Sequence, residues 1–130
     1  MKPIKGTVNY VELIGWLADD PEQRYTPSGV ALVEFKVGVK RLGSRNEDGS
    51  WSYETDWIDI VAWDQLAETV ASSLHKGSRV RVGGSLRADT WEDRDGNRRK
   101  RIHVRADDIL FLDARSNADD TTFAEAAVAE

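Results

Sequence analysis

The chain has 130 residues, 40% of them hydrophobic and 32% charged, which gives room for one packed domain with a short appendage and excludes a disordered polyelectrolyte. It has no cysteine, so a disulfide framework, a zinc ribbon and thiol catalysis are all excluded. The net charge of −5 sits badly with a nucleic-acid ligand until its distribution is read: residues 113–130 carry five carboxylates against Arg115, leaving 17 basic and 18 acidic side chains in residues 1–112.

No run of about 18 apolar residues occurs, and Met1 to Gly6 contains no apolar stretch after its charges. Neither a membrane span nor a signal peptide is expected, and the cytoplasm is the expected compartment. Residues 7–17 are rich in β-branched and aromatic types and stop at Asp20-Pro21, which predicts a strand and a turn. A second turn signal, Tyr25-Thr26-Pro27-Ser28-Gly29, precedes an alternating strand from Leu32 to Arg41 with Val33, Phe35, Val37 and Val39 on one face. The polar segment Leu42 to Ser50 reads as a long hairpin loop.

From Thr55 to Trp63 the parity splits the strand into an aliphatic side (Ile58, Ile60, Ala62) and an aromatic one (Trp57, Asp59, Val61, Trp63). The spacing of Leu66, Ala67, Val70 and Leu74 predicts a helix over Asp64 to Lys76, with Lys76-Gly77 as its stop. Arg79 to Leu86 alternates again, Asp95-Gly96 marks a tight turn, and a last strand is predicted over Ile102 to Leu112. Five strands with one helix between the third and fourth fit an OB barrel, although a β-grasp fold or a small sandwich accepts the same count.

Particular residues narrow this. Val8-Asn9 with Val11, Leu13-Ile14-Gly15 and Leu17, then Asp20-Pro21-Glu22 with Arg24, Tyr25, Thr26 and Gly29, resemble the opening of the bacterial and phage single-stranded DNA-binding (SSB) family. Thr55-Asp56-Trp57, Leu66-Ala67-Glu68 and Lys76-Gly77-Ser78 with Val80, Val82, Gly84, Leu86 and Trp91 continue the resemblance over nearly all of residues 7–112. It implies an all-β, five-stranded OB-fold barrel with one short helix, spanning 1–112, followed by an acidic tail over 113–130. It also implies a homotetramer that coats single-stranded DNA in replication, recombination and repair, without catalysis or cofactor, in the bacterial nucleoid or the phage-infected host cytoplasm.

A sequence-blind binder needs flat rings for bases and cations for phosphates. The resemblance puts Trp57, Trp91 and Trp63 at base-stacking positions and Trp51 in a strand-gripping hairpin, whereas Trp16, near a turn, reads as packing. The phosphate candidates are Lys36, Lys40, Arg41, Arg45, Arg79, Arg81, Arg87 and the run Arg98, Arg99, Lys100, Arg101. His75 and His103 read as a helix-end or surface residue and a barrel-face residue, and no metal site is expected.

Three departures stand out. Gly43 or Ser44 occupies a position where relatives carry another stacking tryptophan, and Asp59 one where a basic residue faces the strand; both are expected to weaken binding. The tail lacks the family's closing proline and phenylalanine, so recruitment of replication and repair proteins would fall to Phe123, in a capping-box segment over Thr122 to Glu125.

Overall fold

The computed structural model describes residues 5–113. The strands are β1 (Val11–Leu17), β2 (Glu22–Tyr25), β3 (Ala31–Arg45), β4 (Trp51–Trp63), β5 (Arg79–Glu92) and β6 (Arg98–Phe111), with the helix α1 (Asp64–Ser73) between β4 and β5. The sheet order β1-β5-β6-β4-β3 returns to β1 through Trp16↔Gly38 and Leu17↔Val37, closing a five-stranded barrel; β2 pairs outside it with Ala31 to Glu34. The β4–β6 contact is parallel, at Ile60↔Val104 and Val61↔Arg105. A closed barrel with this strand and helix order is the OB fold expected from the sequence.

The alternation dictates the core. Val33, Phe35 and Val37 of β3, Ile60 and Ala62 of β4, Val80 and Val82 of β5 and Val104 of β6 turn inward and are buried. Ala67, Val70 and Leu74 lay one face of α1 against this core. No loop separates β4 from α1. Asp64 makes the corner with φ +58°, a conformation that aspartate tolerates better than most residues.

Several expected boundaries move. The segment Leu42 to Ser50 is not a long loop: β3 runs on to Arg45, and only residues 46–50 turn, with Asn46 N donating to Ser50 O at 2.7 Å and Gly49 N to Asn46 O at 3.0 Å. The ladder persists because both faces of this ribbon lie in solvent, where polar side chains are compatible with strand. For the same reason β4 starts at Trp51, not Thr55, while β5 reaches Glu92 and β6 starts at Arg98, so the basic run is strand. Glu22–Tyr25, from between the two turn signals into the second, forms β2, and the first strand starts at Val11 rather than residue 7. Before it, the Asn9 side chain supplies one more rung, donating Nδ2 to Leu86 O at 2.9 Å and accepting from Leu86 N at 2.8 Å.

The helix ends at Ser73 rather than Lys76, with Leu74 extended and no basic residue in its last turn. Gly77, φ +88°, belongs to the turn that leads into β5, where Lys76 N donates to Asp20 Oδ1 at 2.8 Å. Most of the 113–130 tail, including Phe123 and the capping-box segment, lies outside the described residues; Asp113 accepts a hydrogen bond from Arg79 N at 3.1 Å.

Closure depends on one close approach. A Cβ on Gly15 would stand 2.0 Å from Gly38 O. Gly15→Ala therefore forces β1 away from β3 and is expected to destabilise the fold by about 1–3 kcal/mol or more, the cost of overpacking. A urea midpoint equal to that of the unsubstituted protein would show that the seam yields freely.

Candidate nucleic-acid interface

The outward parity of β4 carries Trp51, Tyr53, Trp57, Asp59, Val61 and Trp63, and its neighbours in register set what surrounds each ring. Gly38 is the Cα partner of both Trp16 and Trp57, so one row across β1, β3 and β4 reads Trp16, Gly38, Trp57. The missing side chain lets the Trp57 ring lie across β3: a Cβ on Gly38 would stand 2.5 Å from Trp57 Cζ3. Trp16 meets Trp57 edge-on, with centroids 5.9 Å apart and planes at 84°. The reading of Trp16 as packing is thus half of its role, since it is only partly buried and supports an exposed ring.

Trp51, Trp57 and Trp91 remain about half exposed, at 47–48%. Trp91, paired with Arg99 near the tip of the β5–β6 ribbon, also has outward parity. Cations lie over three rings: Lys40 Nζ is 5.9 Å from the Trp16 centroid, while Arg45 over Trp51 and Arg105 over Trp63 stand at 5.8 Å. Arg105 and the exposed Tyr53 were missed by sequence reasoning. Parity along their strands carried both signals, because each shares the outward face with a tryptophan or its register partner.

The phosphate candidates divide into two groups. Lys40, Arg45, Arg79, Arg87, Arg98 and Lys100 make no ion pair among the described residues. Arg79 and Lys40 border the shallow depression whose floor includes Ile14 and Trp16. The other five are engaged by carboxylates. Arg41 holds Glu54 at 2.6 Å and Asp56 at 2.9 Å. Arg81 donates Nε to Glu12 at 2.8 Å and lies 3.5 Å from Asp108, and Arg99 holds Asp93 at 2.8 Å.

Lys36 Nζ lies 2.6 Å from Asp59 Oδ1, and Arg101 reaches Asp59 at 3.5 Å and Glu34 at 3.8 Å. Partial burial pushes the Asp59 carboxyl upward, but Lys36 and then Arg101 outweigh it and hold the pKa below the usual aspartate value. Asp59 therefore stays charged at neutral pH, opposite in sign to the basic residue the resemblance led one to expect there. Gly43 and Ser44 form the irregular step between Leu42 and Arg45, with Ser44 N donating to Ser52 Oγ at 3.0 Å.

His75 is exposed beside the β5 turn, and His103 is buried on the outward face of β6, with Nδ1 3.4 Å from Asp89 but without a hydrogen bond. Among the described residues no cluster of His, Cys, Asp or Glu has the arrangement of a metal site. No helix among them is long and apolar enough to cross a membrane.

A model of the single-strand binding protein family matches residues 8–112, the whole barrel. The chain belongs to that family. Single-stranded DNA-binding protein 2 of Listeria monocytogenes is 40% identical over 110 residues, covering 85% of this chain and 67% of its own length. The single-stranded DNA-binding protein of Caldanaerobacter subterraneus is 42% identical over 109 residues, 84% of this chain and 71% of the relative. That of Treponema pallidum is 34% identical over 126 residues, 94% and 70% respectively. In this member of the single-strand binding family the aromatic row rests on Gly38. Gly38→Ala is expected to rotate Trp57 away from Trp16 and so to change the near-UV circular dichroism while the far-UV spectrum holds; an unchanged near-UV spectrum would mean that Trp57 does not depend on the gap.

Proposed function

We propose that this protein binds single-stranded DNA without regard to sequence, stacking bases on Trp57, Trp91, Trp63 and Trp51 and holding phosphates with Lys40, Arg45, Arg79, Arg87, Arg98 and Lys100, joined by Lys36, Arg41, Arg81, Arg99 and Arg101 when their carboxylates release them. The observation that carries this reading is a barrel whose outward face keeps Trp51, Trp57 and Trp91 about half exposed and sets cations 5.8–5.9 Å from the ring centroids of Trp16, Trp51 and Trp63. A ring presents the same surface to every base, so affinity from stacking carries little sequence information. The relatives' names point the same way.

The role is non-enzymatic: coating and protecting strands opened in replication, recombination and repair, in the cytoplasm at the nucleoid or in a phage-infected host. The unit is a homotetramer. Exposed Val8 and Tyr10 just before β1, Ile14 of β1 and Leu86 of the neighbouring β5 supply apolar surface for self-association. Sedimentation or light scattering reads this directly, with a monomer at working concentration counting against it.

Titrating the protein with oligo-dT while following tryptophan fluorescence tests the main reading. Quenching at low salt that reverses at high salt is expected, because neutralised phosphates release counterions. Trp57→Ala and Trp91→Ala should each weaken binding by about 5- to 150-fold, the loss of one stacked base at about 1–3 kcal/mol. No quenching at low salt would assign the aromatic face to a protein partner instead.

A further inference from the structure

We propose that Lys36 and Arg101 form a phosphate seat that the chain's own Asp59 keeps filled, so that a phosphate of the strand enters by displacing a carboxylate rather than water. The proposal rests on the reading that the protein binds single-stranded DNA. Asp59 lies on the outward face of β4, two residues from Trp57 and four from Trp63, so the seat falls between two candidate stacking rings. Its two oxygens are held by different cations from different strands: Oδ1 by Lys36 of β3 at 2.6 Å, Oδ2 by Arg101 of β6 at 3.5 Å. A phosphate bridging two cations through two oxygens has the same charge arrangement, and Asp59 thus stands in for one.

The surroundings reinforce the occupancy. Arg101 also faces Glu34 at 3.8 Å, and Glu34 is paired in turn with Arg24 of β2. Asp19, Asp20 and Glu22 border the same depression, so its rim is acidic. Three cations answered by Asp59, Glu34 and this rim leave little net attraction for a phosphate arriving alone. Lys36 and Glu34 are, however, more than a quarter exposed, and exposed ion pairs are weak enough to be exchanged. A strand already stacked on Trp57 or Trp63 brings its phosphate to the seat at high local concentration and completes the exchange.

The test is a double-mutant cycle read by oligo-dT titration at several salt concentrations, using the full chain with Asp59→Asn, Lys36→Met and both together, and Glu68→Gln on the exposed side of α1 as a charge-matched control. Asp59→Asn is expected to tighten binding by about three- to tenfold and to steepen the slope of log K against log salt by about 0.7 for each phosphate gained. Lys36→Met should cost at least about threefold more in the Asp59→Asn background than in the unsubstituted protein. Glu68→Gln should change neither affinity nor slope.

The seat is overturned if Asp59→Asn matches Glu68→Gln in affinity and slope, if it weakens binding, or if Lys36→Met costs the same in both backgrounds. Failure of the unsubstituted protein to bind oligo-dT at low salt is a different result and removes the DNA reading itself.

Discussion

The close approach of β1 to β3 organises the rest of the molecule. Two adjacent backbone pairings, Trp16↔Gly38 and Leu17↔Val37, turn an open sheet into a barrel, and they exist only because Gly15 presents no Cβ to Gly38 O. The same Gly38, bare on its other side, is the space into which Trp57 lies down. Core closure and the aromatic row are therefore consequences of one seam. A change that opens it loses the inward valines and the outward rings together.

Around this seam the two kinds of charge are laid out differently. Cations placed over rings, Lys40, Arg45 and Arg105, sharpen surfaces that a base could cover. Cations placed opposite carboxylates, Lys36, Arg41, Arg81, Arg99 and Arg101, are neutralised where they stand. Counting basic residues thus overstates the field that the outer surface presents. The near balance of 17 basic and 18 acidic side chains over residues 1–112 is resolved in space, residue by residue, rather than by a basic patch.

How much of this could be read from the sequence follows from which forces are local. Period-two alternation with an aliphatic inner face identified the strands around Val33–Val39, Ile58–Ala62 and Val80–Val82, because there the core imposes hydrophobic choice at every second position. Beyond the barrel that constraint ends. The outer ends of β3, β4, β5 and β6 carry Arg, Ser, Asp and Lys on both faces and so read as loop or charge run, although backbone pairing continues through them. The shared outward face of Trp57 and Trp63 was legible from parity, and Trp91 entered through the resemblance. The part of Trp16 was not, since it depends on Gly38 lying between two strands 22 and 19 residues away in sequence. Nor were the pairs made by Asp59, Glu12 and Asp93, because partner choice among surface charges depends on register that only the folded sheet specifies.

The two ribbons that overhang the barrel also bear on how such a protein can vary. Each is held by its ladder and a tight turn, Asn46 to Ser50 in one and Asp93 to Asn97 in the other, with no core beneath the tip. Adding or deleting two residues on each arm keeps every remaining side chain on its face, whereas one residue per arm keeps the pairing but turns the side chains beyond it to the opposite face. Ribbon length is therefore free to drift in steps of two residues per arm while the barrel sequence stays fixed, and each such step below Trp51 or Trp91 moves that ring by two rungs along the same outer face. Reach can be retuned in this lineage without reopening the problem of folding.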